Sequence, residues 1–370
     1  MEIPFLKKFK LPGLDFSFKK LVAPSSFLGI DIGISSAKVV QLREESEKAV
    51  LETYGELKTS GYFKKAEGGF GGGVLRFLDS EIAGFVSDLL RESNVTTKEA
   101  IFAIPAVSSF VTMIDLPKTT QQEVASAIPF EARKYVPIPI SEVVLDWEIV
   151  LDNDDSDKTH VLILAVPKEV INKYKRVAEL TKLNIRALEV EIFSMVRSLV
   201  GHDQRTAAIV NIGSQSTTVS IIDKAVIHLS VNISRGSSVI STSLARGLGI
   251  TFDRADDLKK DIGLSEKIEE KEISGIISPI VDSLFLEIER VVNVYNRKNI
   301  RKIERIILTG GGANLRGIVD YSARRFGLET SVGNPFARII YPAFTQPIIK
   351  EIESDFAVAV GCALREITPK

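Results

Sequence analysis

One hairpin is written twice in this chain, and that repeat constrains the fold more than any other feature. Residues 27–42 read FLGIDIGISSAKVVQL, and residues 207–223 read AAIVNIGSQSTTVSIID. Each is an apolar strand holding Asp or Asn, then Ile and Gly, a polar turn rich in Ser or Thr, and a second apolar strand. Asp31 and Asn211 take the same place in the two copies, 180 positions apart. A third strand follows each copy, over Val50–Leu57 and Val226–Ile233. A duplicated supersecondary unit predicts two similar lobes facing each other. With 370 residues the chain also exceeds the roughly 250–300 that one core usually serves.

The segments between the copies read as α/β. Leu75, Leu78, Ile82, Phe85, Val86, Leu89 and Leu90 keep the helical period. A short strand is expected at Ala100–Ile104. A separate unit then begins, with strands over Phe110–Leu116, Val143–Val150 and His160–Val166. Its first helix opens at Thr119 or Thr120, where Glu123 completes a capping box, and a helix over Glu169–Leu183 closes it. Beyond the second hairpin, helices are expected at Ser238–Leu248, Asp253–Asp261 and Ile273–Asn296, then a strand, three glycines and a helix start in ERIILTGGGANLRGI. The first 26 residues differ: five lysines stand among Phe5, Leu6, Phe9, Phe16 and Phe18, broken by Pro4, Pro12, Gly13 and Pro24. They read as a flexible basic-aromatic leader or as an anchor on a membrane surface or partner.

The hairpins carry the chemistry. An unpartnered carboxylate in apolar surroundings costs several kcal/mol, so Asp31 is expected to face a site. Gly33 permits a sharp turn, Ser35 and Ser36 offer N–H groups and hydroxyls, and Lys38 offers charge. Together they form a phosphate cradle, with Asp31 placed to hold Mg²⁺ through its waters. Gly213, Ser214, Gln215, Ser216 and Thr217 repeat that cradle. Gly310, Gly311 and Gly312 sit at a strand-to-helix turn suited to an anion or a close-lying ribose. One such hairpin alone is usually only a turn. Two matched copies followed by a triple glycine resemble the layout of the actin, Hsp70 and sugar-kinase superfamily, and that resemblance implies ATP held between two lobes.

Several classes are excluded. The net charge of −1 gives no general pull toward nucleic acid. A single cysteine, Cys362, permits neither an internal disulfide nor a cysteine metal cluster. No Gly-x-x-x-x-Gly-Lys and no Gly-x-Gly-x-x-Gly occurs. His160, His202 and His228 are scattered. The acidic run at Asp152–Asp157 has Ile163 where a calcium loop needs its bidentate glutamate. No apolar run reaches the ~18–20 residues needed to span a bilayer, which points to the cytoplasm.

Read together, LGIDIGISSAKVVQL, IDLPKTTQQEVASAIPFEARKYVPIPISEVVLDW, LEVEIFSMVRSL, ADDLKKDIG, ILTGGGANLRGI and EIESDFAVAVGCALRE resemble, in this order, the PilM family of type IV pilus machines. The cell-division protein FtsA is that family's relative. The resemblance implies an actin-like, two-lobed α/β fold with an FtsA/PilM-type extra subdomain. It divides the chain into a leader (1–26), a first lobe (27–106, with a return at 184–206) and the extra subdomain (107–183). The second lobe takes 207–237 and 306–354, a helical subdomain takes 238–305, and the C-terminal helix (355–370) returns to the first lobe. It places Asp256, Lys259 and Asn314 near the nucleotide, and implies Glu191 and Asn211 as catalytic positions, with Asn211 also beside Mg²⁺. It implies a PilN-like single-span membrane protein as partner, bound through its cytoplasmic N-terminal peptide. Candidate groove residues are Val111, Ile114, Leu116, Tyr135, Ile138 and Ile140. Self-association, a pilus motor ATPase and a peripheral place at the inner face of the cytoplasmic membrane belong to the same expectation.

Two departures from the family pattern stand out. Asn211 replaces an aspartate common among relatives, which puts hydrolysis in question more than binding. Pro129 lies inside a helix that relatives run continuously, so a kink or a break is expected there. An FtsA-like filament former and a superfamily small-molecule kinase are the alternatives. The chain shows no C-terminal amphipathic helix of the FtsA kind after REITPK, and no substrate carboxylate of the kinase kind beyond the hairpins.

Overall fold

The repeat is visible as geometry before any other feature. In a computed structural model that describes residues 26–63, 76–118, 120–150 and 158–367, the contacts separate two units. The leader up to Ser25, the glycine run at Gly68–Gly73, Thr119 and the acidic turn at Asp152–Asp157 lie outside the described residues.

The first unit gathers the described residues of 1–201, 335–350 and 358–370. In chain order it holds strands β1 (Ser26–Ile32), β2 (Ser36–Glu45), β3 (Lys48–Lys58), β4 (Glu99–Ile104), β5 (Phe110–Pro117), β6 (Val143–Val150), β7 (Lys158–Pro167) and β8 (Asn184–Val190). Five of them form a sheet in the order β3-β2-β1-β4-β8, and the short strand Ile339–Ile340 adds outside β3. β1 and β4 pair in parallel at the centre, while β1–β2 and β2–β3 are antiparallel. Leu28, Ile30, Ile101, Phe102 and Ile104 are buried, as expected of central strands covered on both faces. One cover is the helix Asp79–Glu92, which buries Ile82, Phe85, Val86 and Leu89; Leu78, read as part of its apolar face, is instead its exposed N-cap. The other is the C-terminal helix. A Cβ at Gly29 would stand 2.0 Å from the Ala359 carbonyl oxygen, so only glycine lets this helix lie so close to β1.

β5, β7 and β6 pair antiparallel in that order. The helix Gln121–Glu131 closes over them, with Val124 and Ile128 joining Val161, Ile163 and Ala165 in one core. Thr120 is its N-cap: its hydroxyl accepts from the Glu123 N–H, while Glu123 accepts from the Thr120 N–H at 2.8 Å. Pro129 lies within the last turn, and the helix runs only two residues further before a 3₁₀ turn at Ala132–Lys134. The helix thus ends two residues beyond the proline, the break expected there.

The second unit gathers residues 202–334 and 351–357. Its strands β9 (Ala207–Ile212), β10 (Thr217–Asp223), β11 (Val226–Ile233), β12 (Arg305–Thr309) and β13 (Glu329–Val332) lie in the order β13-β12-β9-β10-β11. That order, and the parallel pairing of the first strand with a later one, repeats the first unit element for element. The registers repeat as well: Asp31 faces Lys38 as Asn211 faces Thr218. Helices Ser238–Leu248, Phe252–Ile262 and Lys271–Lys298 follow, the longest burying Ile277, Val281, Leu284, Phe285 and Ile288.

Candidate functional site

Both hairpin turns close with the same bond. The Gly33 N–H donates to the Ser36 carbonyl at 3.0 Å, and the Gly213 N–H to the Ser216 carbonyl at 2.9 Å. The apolar strands force the chain to reverse within four residues, and the glycine allows it.

In the first unit, the turn is braced from β3. The Thr59 N–H donates to the Ser35 carbonyl at 3.0 Å and its hydroxyl to the Ile34 carbonyl at 2.7 Å. Ser35 is exposed, whereas Ser36 is buried. Lys38 stands 3.6 Å from Glu56, which shares its charge. Asp31 is half-buried on β1. Glu191 opens the short helix Glu191–Met195 and accepts from the Ala106 N–H at 3.1 Å, beyond the end of β4. Burial first, and then the negative charges of Asp31 and Glu191, push the phenol of buried Tyr174 well above its ordinary range.

In the second unit, the turn rests on the start of the helix Ser238–Leu248. The Ser237 and Ser238 N–H groups donate to the Gly213 and Ser214 carbonyls, both at 2.9 Å. Gln215 is exposed, and Gly213, Ser214 and Ser216 are half-buried. Thr217 is buried, and its hydroxyl donates to the Arg235 carbonyl at 2.8 Å, so it braces the hairpin.

The glycine turn stands beside this hairpin. Gly310 has φ +79°, and a Cβ there would lie 2.4 Å from the Asn211 side-chain oxygen, so the turn and Asn211 are neighbours. Gly311–Asn314 is a single 3₁₀ turn, and the next helix begins only at Ile318. The long helix dipole expected at the glycines is thus displaced, and local N–H groups remain as the donors. The Gly310 N–H donates to the Ser354 carbonyl at 2.8 Å, while those of Gly311 and Gly312 have no backbone partner among the described residues. Asn314 is tied through both ends of its amide, to Ser354 at 2.8 Å and Asp355 at 3.0 Å.

Asp256 and Lys259 lie on the helix Phe252–Ile262 and pair with each other. Lys260 reaches the other Asp256 oxygen at 2.8 Å, and the Ser241 hydroxyl donates to Asp256 at 2.8 Å. Burial opposes the charge of Asp256, but hydrogen bonds from Lys259, Lys260 and Ser241 hold its carboxyl well below the usual range. Lys260 and Ser241 were not singled out by sequence reasoning. Lys260 stands in the quoted motif, but Ser241 carries no local signal.

The groove residues divide. Ile114 and Leu116 are 3% and 7% exposed in the core under β5, so they cannot line a surface groove as expected; strand alternation turns them inward. Val111 is half-buried. Ile138 and Ile140 pack against the same core. Tyr135 is 49% exposed. Sequence reasoning missed Phe130, 64% exposed, with the Arg133 guanidinium 5.3 Å from its ring centre.

A model of the type IV pilus assembly protein PilM family matches residues 29–367. Cell division protein FtsA of Enterococcus hirae is 20% identical over 362 residues, covering 84% of this chain and 78% of that protein. Among solved structures, the PilM–PilN type IV pilus biogenesis complex matches at TM-score 0.78 and 22% identity, covering 92% of this chain and 98% of that one. MreB5 of Spiroplasma citri bound to ADP matches at TM-score 0.54 and 14% identity, covering 92% and 96%. These likenesses give the fold, which is actin-like, as the repeated hairpin had indicated. With its family pattern running nearly from β1 to Ile367, the chain belongs to the type IV pilus assembly protein PilM family.

Proposed function

We propose that this protein is a nucleotide-binding scaffold of a type IV pilus or related secretion machine. It takes ATP with Mg²⁺ on its two hairpins and a PilN-like membrane protein on its extra subdomain. The observation that carries the nucleotide reading is the matched pair of turns, each closed by the same Gly-to-Ser bond. The MreB5 neighbour is described as bound to ADP, which supports it. The partner reading is supported by the description of the neighbouring PilM–PilN complex.

The residues fit a hydrated Mg²⁺. Mg²⁺ characteristically keeps its waters and uses one or two carboxylates with substrate phosphates, and Asp31, half-buried on β1 beside the Gly33–Ser36 turn, offers one such carboxylate. Asp31 is the carboxylate, and the Asn211 side-chain oxygen assists. When bound, the ion neutralises phosphate charge. The chain's own part is to orient phosphates on the N–H groups of both turns and the nucleoside near Asp256, Lys259 and the glycine turn. Glu191 is the candidate to orient a water. Asn211 lacks the charge of an aspartate, so hydrolysis is slow. Among the described residues no helix is long and apolar enough to cross a membrane. Attachment at the inner face of the cytoplasmic membrane is assigned to the partner or to the basic-aromatic leader.

ATP with Mg²⁺ should raise the melting temperature by mass action, by an amount that grows with ligand concentration. Asp31→Ala should abolish most of that shift, and phosphate release should be slow in the same samples. An equal shift in the variant removes Asp31 from the site, and brisk release removes Asn211 as the limiting group.

A further inference from the structure

We infer that Ser354 and Asp355 are positioning residues of the proposed nucleotide site, acting through the glycine turn. The inference rests on the nucleotide reading and adds the device that holds the turn in shape.

The segment Glu353–Asp355 is a single 3₁₀ turn, followed by buried Phe356 and Ala357. It lies more than 40 residues from the glycines in sequence, yet it makes four hydrogen bonds to them and their flanks. The Ser354 carbonyl accepts from the Gly310 N–H and from the Thr309 hydroxyl, both at 2.8 Å. The Ser354 hydroxyl donates to the Asn314 side-chain oxygen at 2.8 Å. The Asn314 side-chain nitrogen donates to Asp355 at 3.0 Å. Ser354 is 1% exposed, so its bonds face no competition from water.

The arrangement has a direct chemical consequence. Gly310 adopts φ +79°, which glycine takes without strain, and its N–H is consumed by Ser354. Asn314, at the far end, is gripped through both amide atoms. The turn is thereby fixed at entry and exit, and the Gly311 and Gly312 N–H groups between them are left for a ligand. A donor pair held in place costs less to order on binding than a mobile loop does. The Asp355 contribution is as an acceptor for Asn314. An asparagine at that position can accept the same bond, whereas an alanine cannot.

The test is a titration of the full chain with a fluorescent ATP analogue and Mg²⁺, using Asp355→Ala, Asp355→Asn and Ser354→Ala beside the unsubstituted protein. One hydrogen bond is worth about 1 kcal/mol, so each alanine variant should bind roughly fivefold more weakly, and Asp355→Asn should recover most of the loss. Asp355 is partly exposed, so its variants can be compared at equal foldedness, checked by melting without nucleotide. If all variants bind like the unsubstituted protein, or if asparagine is as poor as alanine, the positioning role is overturned while nucleotide binding stands. If the unsubstituted protein binds no nucleotide, the nucleotide reading fails and the positioning role falls with it.

Discussion

Asp146 shows what one residue can carry that no pattern reveals. It sits on β6, inside the LDW run that marked the family, and reads there as one more strand residue. In the structure one carboxylate oxygen accepts from the Trp147 N–H at 2.9 Å, and the other is buried with no hydrogen-bond partner among the described residues. Burial outweighs the Trp147 N–H and the Arg365 charge, and pushes the carboxyl up to about 6 from an ordinary 3.8. A folded pKa above the unfolded one means that the folded state binds the proton more tightly. The resulting stability is present below about pH 4 and is lost as pH rises through about 6. Asp146→Asn should therefore melt higher at neutral pH, by roughly 1–3 °C, and should flatten the change between pH 4 and 6.5. Because the group is partly solvated, the effect is modest. A thermal melt series across that range checks it, and identical pH profiles for the two proteins would count against the assignment. Asp31 is the contrasting case: a carboxylate breaking an apolar run stands out in the sequence itself, and it lies half-buried on β1.

At the scale of elements, periodicity located nearly every strand and helix, because core-facing residues must recur at 2 or 3.6 residues wherever one face is buried. The duplicated hairpin went further and indicated the topology. What periodicity could not supply was depth. Ile114, Leu116 and Ile138 look like surface anchors beside prolines, yet the first two are core and the third packs against it. Three antiparallel strands and one helix have few residues from which to build a core, so they draw in the flanking apolar side chains. Likewise, the helix expected straight after the glycines is delayed to Ile318 by a 3₁₀ turn, which no local propensity announces. The groove proposal is thereby sharpened to Phe130 and Tyr135. Tyr135→Ser should weaken a PilN-type peptide about tenfold with little change in melting. Ile138→Ser should instead lower the melting temperature, as a core truncation does. Isothermal calorimetry with the peptide and a melt of each variant separate the two, and peptide affinity unmoved by Tyr135→Ser would place the groove elsewhere.

Across the whole molecule, the last 15 or so residues do more than close the chain. Ser354 and Asp355 belong to the second unit, whereas Val358 onward belongs to the first. In the second unit they fix the glycine turn. In the first, the helix Ala357–Ala363 lies against Gly29 and buries Val360 and Cys362, and Arg365 just beyond it pairs with buried Glu189, which Arg197 also holds at 2.7 Å. Burial opposes the Glu189 charge, but the two guanidiniums hold its carboxyl below the usual range. Removing Arg365 leaves part of that compensation missing, and breaking such a buried pair costs about 3–5 kcal/mol. Losing the buried contacts of Phe356, Val358, Val360, Leu364 and Ile367 adds about 1.5–3 kcal/mol for each side chain. The sum, about 10–20 kcal/mol, matches or exceeds the 5–15 kcal/mol that holds a typical domain folded. A chain ending at Ile352 should therefore show no cooperative melt, and limited proteolysis should cut within both units, whereas a chain ending at Ile367 should behave as the full one. Should the chain ending at Ile352 melt cooperatively near the full-length temperature, the C-terminal segment would be an addition to two self-sufficient units, and the shared role argued for it here would be wrong.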